Sequence, residues 1–394
     1  MSFRELLKRY EEGLLSEEEM KYVKEEIAKY EALEEYSAEK MSEEFLIGDQ
    51  SREEGHYEKE TIDLKRSVDH RLRKVIITSV LIAVGIWVGV FKVFSPFVDF
   101  LYYNPLKMSV GELDNDISFD VQAITELNKP GMNSSTVFVD RHGFGSYDVS
   151  YNYFDAFSKE FYDVNHRIVR GEIVSTHQDP VFMLDFFMNA RYLGSSREAS
   201  EQHNQKEMEY IKELNPASYG SFGILFEDDL TMVELSALEK KYGSIEFQWA
   251  AMRTGENDEE LMDKIGINLM GSRITSALIG DEKIKEKYPA YSLMSWLTQP
   301  VGSEANAPLE ATGYELHYKN LLEYVIDRRD NIELIEQREN KTIFYESALE
   351  YAKELGVKTY GVVIYGEMRD VIDFVESENP KLFDLTDALV TRRY

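Results

Sequence analysis

The residues that could do chemistry in this chain are seven histidines and a large excess of carboxylates, and their spacing outlines no reaction centre. There is no His-Glu-x-x-His pair, no Gly-x-Ser-x-Gly elbow, no phosphate-binding P-loop and no Gly-x-Gly-x-x-Gly opening a helix. Ser37-Ala38-Glu39-Lys40 fits Ser-x-x-Lys, but it lies on an acidic helical stretch without the companion motifs that would make the serine a nucleophile. With no cysteine in 394 residues, thiolate zinc sites, thiol redox sensing and cysteine nucleophiles are excluded. His142, His166 and His177 fall on or near expected strands at irregular spacing, and His177 precedes Asp179. Glu227-Asp228-Asp229 could offer oxygens to calcium, but its place just ahead of a helix is explained more simply by the attraction of anions to the positive end of a helix dipole. The expectation is a non-enzyme with no catalytic residue, no metal and no cofactor.

The strongest pattern is apolar. From Val75 to Phe94 no charge appears before Lys92, and Ser95-Pro96 closes the run. At about 1.5 Å per residue such a helix spans roughly 30 Å, the thickness of the hydrocarbon core of a bilayer. It has no polar face, which a surface helix of a soluble domain would need, and it starts too far into the chain for a cleaved signal peptide. Residues 65–74 hold five basic residues against one acid, whereas the stretch beyond the run is nearly uncharged, so the positive-inside rule puts the N-terminus in the cytoplasm of a single-pass cell-membrane protein. Arg71, Arg73 and Lys74 anchor the inner end, Trp87 and Lys92 the outer part, with Lys92 snorkelling to the interface. The net charge of −29 argues against nucleic acid as a direct partner, because phosphates need a basic patch.

The remaining elements sort around that span. Residues 1–40 read as a cytoplasmic helical hairpin: Leu6, Leu7 and Tyr10 share one face, Gly13 breaks it, and Ser16 with Glu19 forms a capping box opening a second helix. Met20, Val23, Ile27, Tyr30 and Leu33 continue the apolar stripe, and Glu25 pairs with Lys29 on the wet side. A hairpin of this size is too small to bury its own apolar surface, so these residues are expected to dock on a partner protein. Residues 41–74 read as a flexible linker ending in the basic collar, 75–94 as the transmembrane helix, and 95–394 as an extracytoplasmic α/β domain. The whole is an α+β chain. Strands are expected at 117–124, 136–139, 147–153 and 167–175 from their period of two. A strand-helix-strand unit follows: strand 219–226, a helix opened by the Thr231/Glu234 capping box, and a strand carrying Ile245, Phe247 and Trp249. A helix closed by Gly356, strand 359–366 and a helix with Val371, Ile372 and Val375 echo it.

The run from Phe3-Arg4-Glu5-Leu6-Leu7-Lys8-Arg9-Tyr10 through Ser16-Glu17-Glu18-Glu19 to Tyr36 resembles the amino-terminal region of membrane-bound anti-sigma factors of the sigma-factor-regulator family, the anti-sigma-M type in particular. The unit with Phe226, Leu230, Leu238 and Trp249 is similar to that family's carboxy-terminal regulator domain. The zinc-type signature of histidines and cysteines is absent, so the resemblance is to a zinc-independent member. It implies a hairpin that sequesters an extracytoplasmic-function sigma factor at the membrane, with a sensor domain that triggers release on an envelope signal. A second membrane regulator or a protease would complete the partner set. Two other readings stand beside it: an anchored binding or scaffold domain, and an envelope-polymer hydrolase using acids such as Asp140 or Asp179, each with an inert cytoplasmic tail.

Overall fold

The computed structural model describes residues 10, 16–47, 54–106, 116–178, 186–187, 190, 196–255, 264–270, 286–297, 309–338 and 340–392, in two compact units, 1–85 and 86–394. Leu6, Leu7 and Asp179 lie outside the described residues.

In the first unit Ser16 opens helix α1, Glu17–Ile47. The capping box is formed: the Ser16 amide donates to Glu19 Oε2 (3.0 Å) and the Glu19 amide to Ser16 Oγ (3.4 Å). Lys29 pairs with Glu26 at 2.5 Å rather than with the expected Glu25. Helix α2, Glu54–Val88, replaces most of the linker expected at 41–74. Between Gly55 and Gly85 the chain holds neither glycine nor proline, and once the apolar run is helical each preceding residue adds a backbone hydrogen bond without a new nucleation cost. Along α2 the large apolar side chains, Val75 to Trp87, all stand exposed. One helical stretch among the described residues, Lys65–Leu101, is long and apolar enough to cross a membrane, and none of its apolar window is covered by protein.

In the second unit the helix widens to π-helical geometry over Gly89–Phe94, where the Ser95 amide reaches back five residues to Val90 O. Pro96, at the start of α3 (Ser95–Leu101), has no amide to continue an α-helical ladder, and the widened turn accommodates it. Helix α4, Asp116–Asn128, stands where alternation predicts a strand. Ile117 and Val121 pack on one core, Phe119, Ala123 and Leu127 on another. A helix buried on two sides shows apolar residues two apart, which imitates a strand.

The first sheet contains β1 (Met132–Ser134), β2 (Phe138–Gly143), β3 (Ser146–Asp155), β4 (Phe161–Val169) and β5 (Glu172–Gln178), all antiparallel. β1 and β2 share one edge of β3, and β4 takes the other. The single strand expected at 167–175 is instead the end of one strand and the start of the next, folded at Arg170-Gly171, where both residues have positive φ (52° and 84°). Tyr147, Val149, Tyr151 and Tyr153 turn inward along β3 against Val164 and Ile168 of β4.

The second sheet follows helix α5 (Arg197–Glu213) and is built by β6 (Tyr219–Thr231), α6 (Met232–Lys241), β7 (Glu246–Met252) and β8 (Gly266–Asn268). Helices α7 (Leu293–Leu297), α8 (Leu309–Asp327), α9 (Arg329–Glu336) and α10 (Lys341–Glu354) intervene before β9 (Lys358–Glu367), α11 (Met368–Glu378) and β10 (Leu382–Leu389). The strand order is β10-β6-β9-β7-β8, antiparallel throughout. β6 and β7 are therefore parallel with β9 between them, and β9 and β10 are parallel with β6 between them. Two split β-α-β units interleave, a ferredoxin-like arrangement. The expected unit at 219–249 has its elements in order, but β7 bonds to β9, not to β6. Met232 and Leu235 of α6 and Val371 and Phe374 of α11 pack with Phe222, Ile224, Phe247, Val362 and Ile364 of the sheet.

Candidate functional site

Of the stripe expected to meet a partner, Tyr10, Met20 and Ile27 are half-buried and Val23 is completely buried, so this part is used inside the first unit. Tyr30 (66%) and Leu33 (64%) are exposed, as are Tyr22 and Tyr36. At about 100° per residue these four fall within about a third of the circumference of α1, an arc that also carries the Glu26–Lys29 ion pair between Tyr22 and Tyr30. Arg71, Arg73 and Lys74 are exposed along α2, and Lys92 on the π-helical turn.

In the second unit the C-terminal end of the apolar helical stretch is tied to the β2–β3 turn. Trp87 stacks toward Phe91 (5.6 Å), and Phe91 and Phe94 both meet Phe144 at the tip of the turn (5.8 and 6.2 Å). Below the rings Ser95 Oγ accepts from the Phe144 amide (2.9 Å), Asp99 Oδ1 from the buried Gly145 amide (2.6 Å), and Asp99 Oδ2 pairs with Arg141. Gly143 has φ +85°, and a Cβ there would lie 2.7 Å from Ser95 Oγ, so the close approach depends on glycine.

Helix α4 connects the two sheets through buried polar groups. Asp120, with no exposed surface, accepts from Tyr324 Oη (2.8 Å), Arg328 Nη2 (3.0 Å) and Asn331 Nδ2 (3.3 Å), which fixes α8 and α9 against it. One turn and a half later Glu126 accepts from the Asn268 amide (3.2 Å) and faces His317 Nε2 (2.7 Å), and its backbone carbonyl takes the Trp249 indole proton (2.9 Å). His317 Nδ1 lies 2.7 Å from Ala290 O, so both ring nitrogens face acceptors. Burial alone pushes the imidazole down, but the Glu126 carboxylate outweighs it and holds His317 above its usual range.

Among the described residues, the histidines and acids weighed as chemical groups do not converge on one another. His142 pairs with Asp148 (2.7 Å) on the exposed face of the first sheet, and Asp140 is exposed on β2. His166 is buried between Tyr151 Oη (3.2 Å) and Thr176 Oγ1 (3.1 Å), and burial pushes its pKa down. Glu227 and Asp228 are exposed on the rim of an open groove of about 430 Å³ between β6 and α6, and Asp229 is paired with Arg253 Nε (2.8 Å) and Nη2 (2.6 Å). The Thr231/Glu234 box caps α6 in full. A further cluster, which no sequence motif marks, joins His203 and Glu207 on α5 to Asp384 on β10, with ligand atoms that all lie within 4.8 Å of one another. The i, i+4 spacing of the first two was visible. Asp384 comes from a strand that sequence periodicity missed.

Residues 196–381 match the family model described as sigma factor regulator C-terminal. That span begins at α5 and ends one residue before β10. It covers more than the 215–254 stretch that carries the carboxy-terminal resemblance and does not reach the amino-terminal one. No curated protein and no solved structure matches the chain.

Proposed function

We propose that this chain, which carries a sigma factor regulator C-terminal domain, is a membrane-bound anti-sigma factor of the anti-sigma-M type. It holds an extracytoplasmic-function sigma factor against the cytoplasmic face through α1 and releases it when the large domain outside responds to an envelope signal. The observation that carries this reading is a fully exposed apolar helix placed between a helical unit with an exposed Tyr/Leu face and a domain of the sigma-regulator family. Apolar side chains exposed all round a helix are stable only in lipid. The basic collar at 65–74 supports a cytoplasmic N-terminus. The role is one of binding rather than catalysis, with no cofactor.

The contact runs over Tyr30 and Leu33, flanked by Tyr22 and Tyr36, and extends to Leu6 and Leu7. Aromatic anchors at the centre of such an interface are worth about 2 kcal/mol or more each. Affinity capture from membranes of full-length wild type and of Tyr30→Ala/Leu33→Ala tests this. The wild type should retain the sigma factor and the double variant should lose it, with equal amounts of protein in the membrane. Retention of the sigma factor by the double variant would falsify the assignment of this face.

A further inference from the structure

The geometry points to a binding site for one divalent first-row transition-metal cation of the zinc class, formed by His203 and Glu207 of α5 and Asp384 of β10. The two α5 residues are one turn apart and project from the middle of a 17-residue helix, so the helix end plays no part. Their ligand atoms and a carboxylate oxygen of Asp384 lie within 4.8 Å of one another, with His203 Nε2 3.1 Å from Asp384 Oδ1. A tetrahedral zinc with bonds of about 2.0–2.2 Å holds its ligand atoms roughly 3.3 Å apart. The histidine-aspartate pair is already at that separation, and the third ligand needs only a side-chain adjustment. Imidazole with two carboxylates suits zinc or its neighbours, whereas calcium calls for six to eight oxygens. Three protein ligands would leave a coordination position for water.

Packing alone does not account for the convergence. Asn204 already attaches α5 to the chain around β10, donating through Nδ2 to Pro380 O (3.3 Å) and Lys381 O (3.2 Å) and accepting from the Phe383 amide (3.2 Å). Glu207 Oε1 caps the Leu385 amide (3.0 Å) on the open edge of the sheet. Glu207 is a second carboxylate facing Asp384 in the same half-buried place, beside the His203 ring. A cation relieves that crowding more fully than an imidazole can. Bound there, it would clamp the last strand to α5.

The test is made on the full chain in detergent micelles after chelator treatment, with zinc titrated calorimetrically and cobalt(II) followed by its visible absorption. One equivalent should bind, and the cobalt spectrum should be that of a low-symmetry nitrogen and oxygen site. Glu207→Gln, which keeps the acceptor for the Leu385 amide, and Asp384→Asn should each weaken binding at least about 100-fold, beyond what loss of an outer-shell partner costs. Asn204→Ala should lower the unfolding temperature and leave the affinity unchanged. The absence of a saturable equivalent, or one that survives both carboxamide variants, overturns the site. No sigma factor enters the assay, so its result is independent of the regulator reading.

Discussion

Replacing Asp99 by alanine should destabilise the second unit by about 2–3 kcal/mol, more than any other single change in the tie between the end of the apolar helix and the β2–β3 turn. Asp99 is buried, its side chain 6% exposed, and it accepts from the buried Gly145 amide at 2.6 Å. Removing a charged acceptor from a buried amide costs about 1.5–3 kcal/mol. Ser95→Ala removes a neutral hydroxyl from the Phe144 amide, for about 0.5–1.5 kcal/mol. Arg141→Ala should cost no more than about 1 kcal/mol, because its side chain is 44% exposed and its charge is largely satisfied by water. Thermal unfolding of the full chain in micelles gives the order directly. At roughly 2 °C per kcal/mol for a unit of this size, Asp99→Ala should lower the midpoint by about 4–6 °C. If Arg141→Ala proves as damaging as Asp99→Ala, the ion pair rather than the amide cap holds the tie, and the reasoning fails.

Asp120→Ala would take away the buried carboxylate to which Tyr324, Arg328 and Asn331 donate, and should cost about 3–5 kcal/mol by chemical denaturation, whereas Lys241→Ala at its exposed pair with Glu378 should leave the denaturation curve nearly unchanged. Burial pushes Glu239 up to about 7 in the fold, with Tyr314 Oη donating to it at 2.9 Å as a smaller opposing influence. A carboxyl with a raised folded pKa favours the native state below its unfolded pKa, near 4.5, and loses that advantage as the pH climbs through about 7. Stability should fall across this window by an amount on the order of 2 kcal/mol, and Glu239→Gln should flatten the dependence; an unchanged pH profile in the variant would count against it. Val23→Ala should cost roughly 2 kcal/mol of stability for two buried methyl groups, while Leu33→Ala should leave the melting curve unchanged and weaken capture of the sigma factor.

What the sequence made legible was local. Both capping boxes, the apolar run, the break at Gly356 (φ +81°) and most strands of the first sheet depend on residues within a few positions of one another. Helix α4 was misread because its two buried sides produce the period of a strand, and 41–74 because polar composition was taken for lack of structure although it contains good helix formers. The pairing of β7 with β9 and the meeting of Asp384 with His203 were not legible, since each joins residues more than a hundred positions apart and no local pattern encodes them. The candidate contact face was half legible: the period gave the stripe, but not that Val23 is covered while Tyr30 and Leu33 are exposed.

The interleaved order β10-β6-β9-β7 also governs how the domain is made. β6 is made well before β9 and β10, so its two edges are satisfied only once the chain has been built through Leu389. Closing such distant pairings is slow and leaves sticky strand edges open meanwhile. A chain cut ahead of β10 would therefore leave β6, an interior strand of the finished sheet, as an open edge ready to pair with another chain.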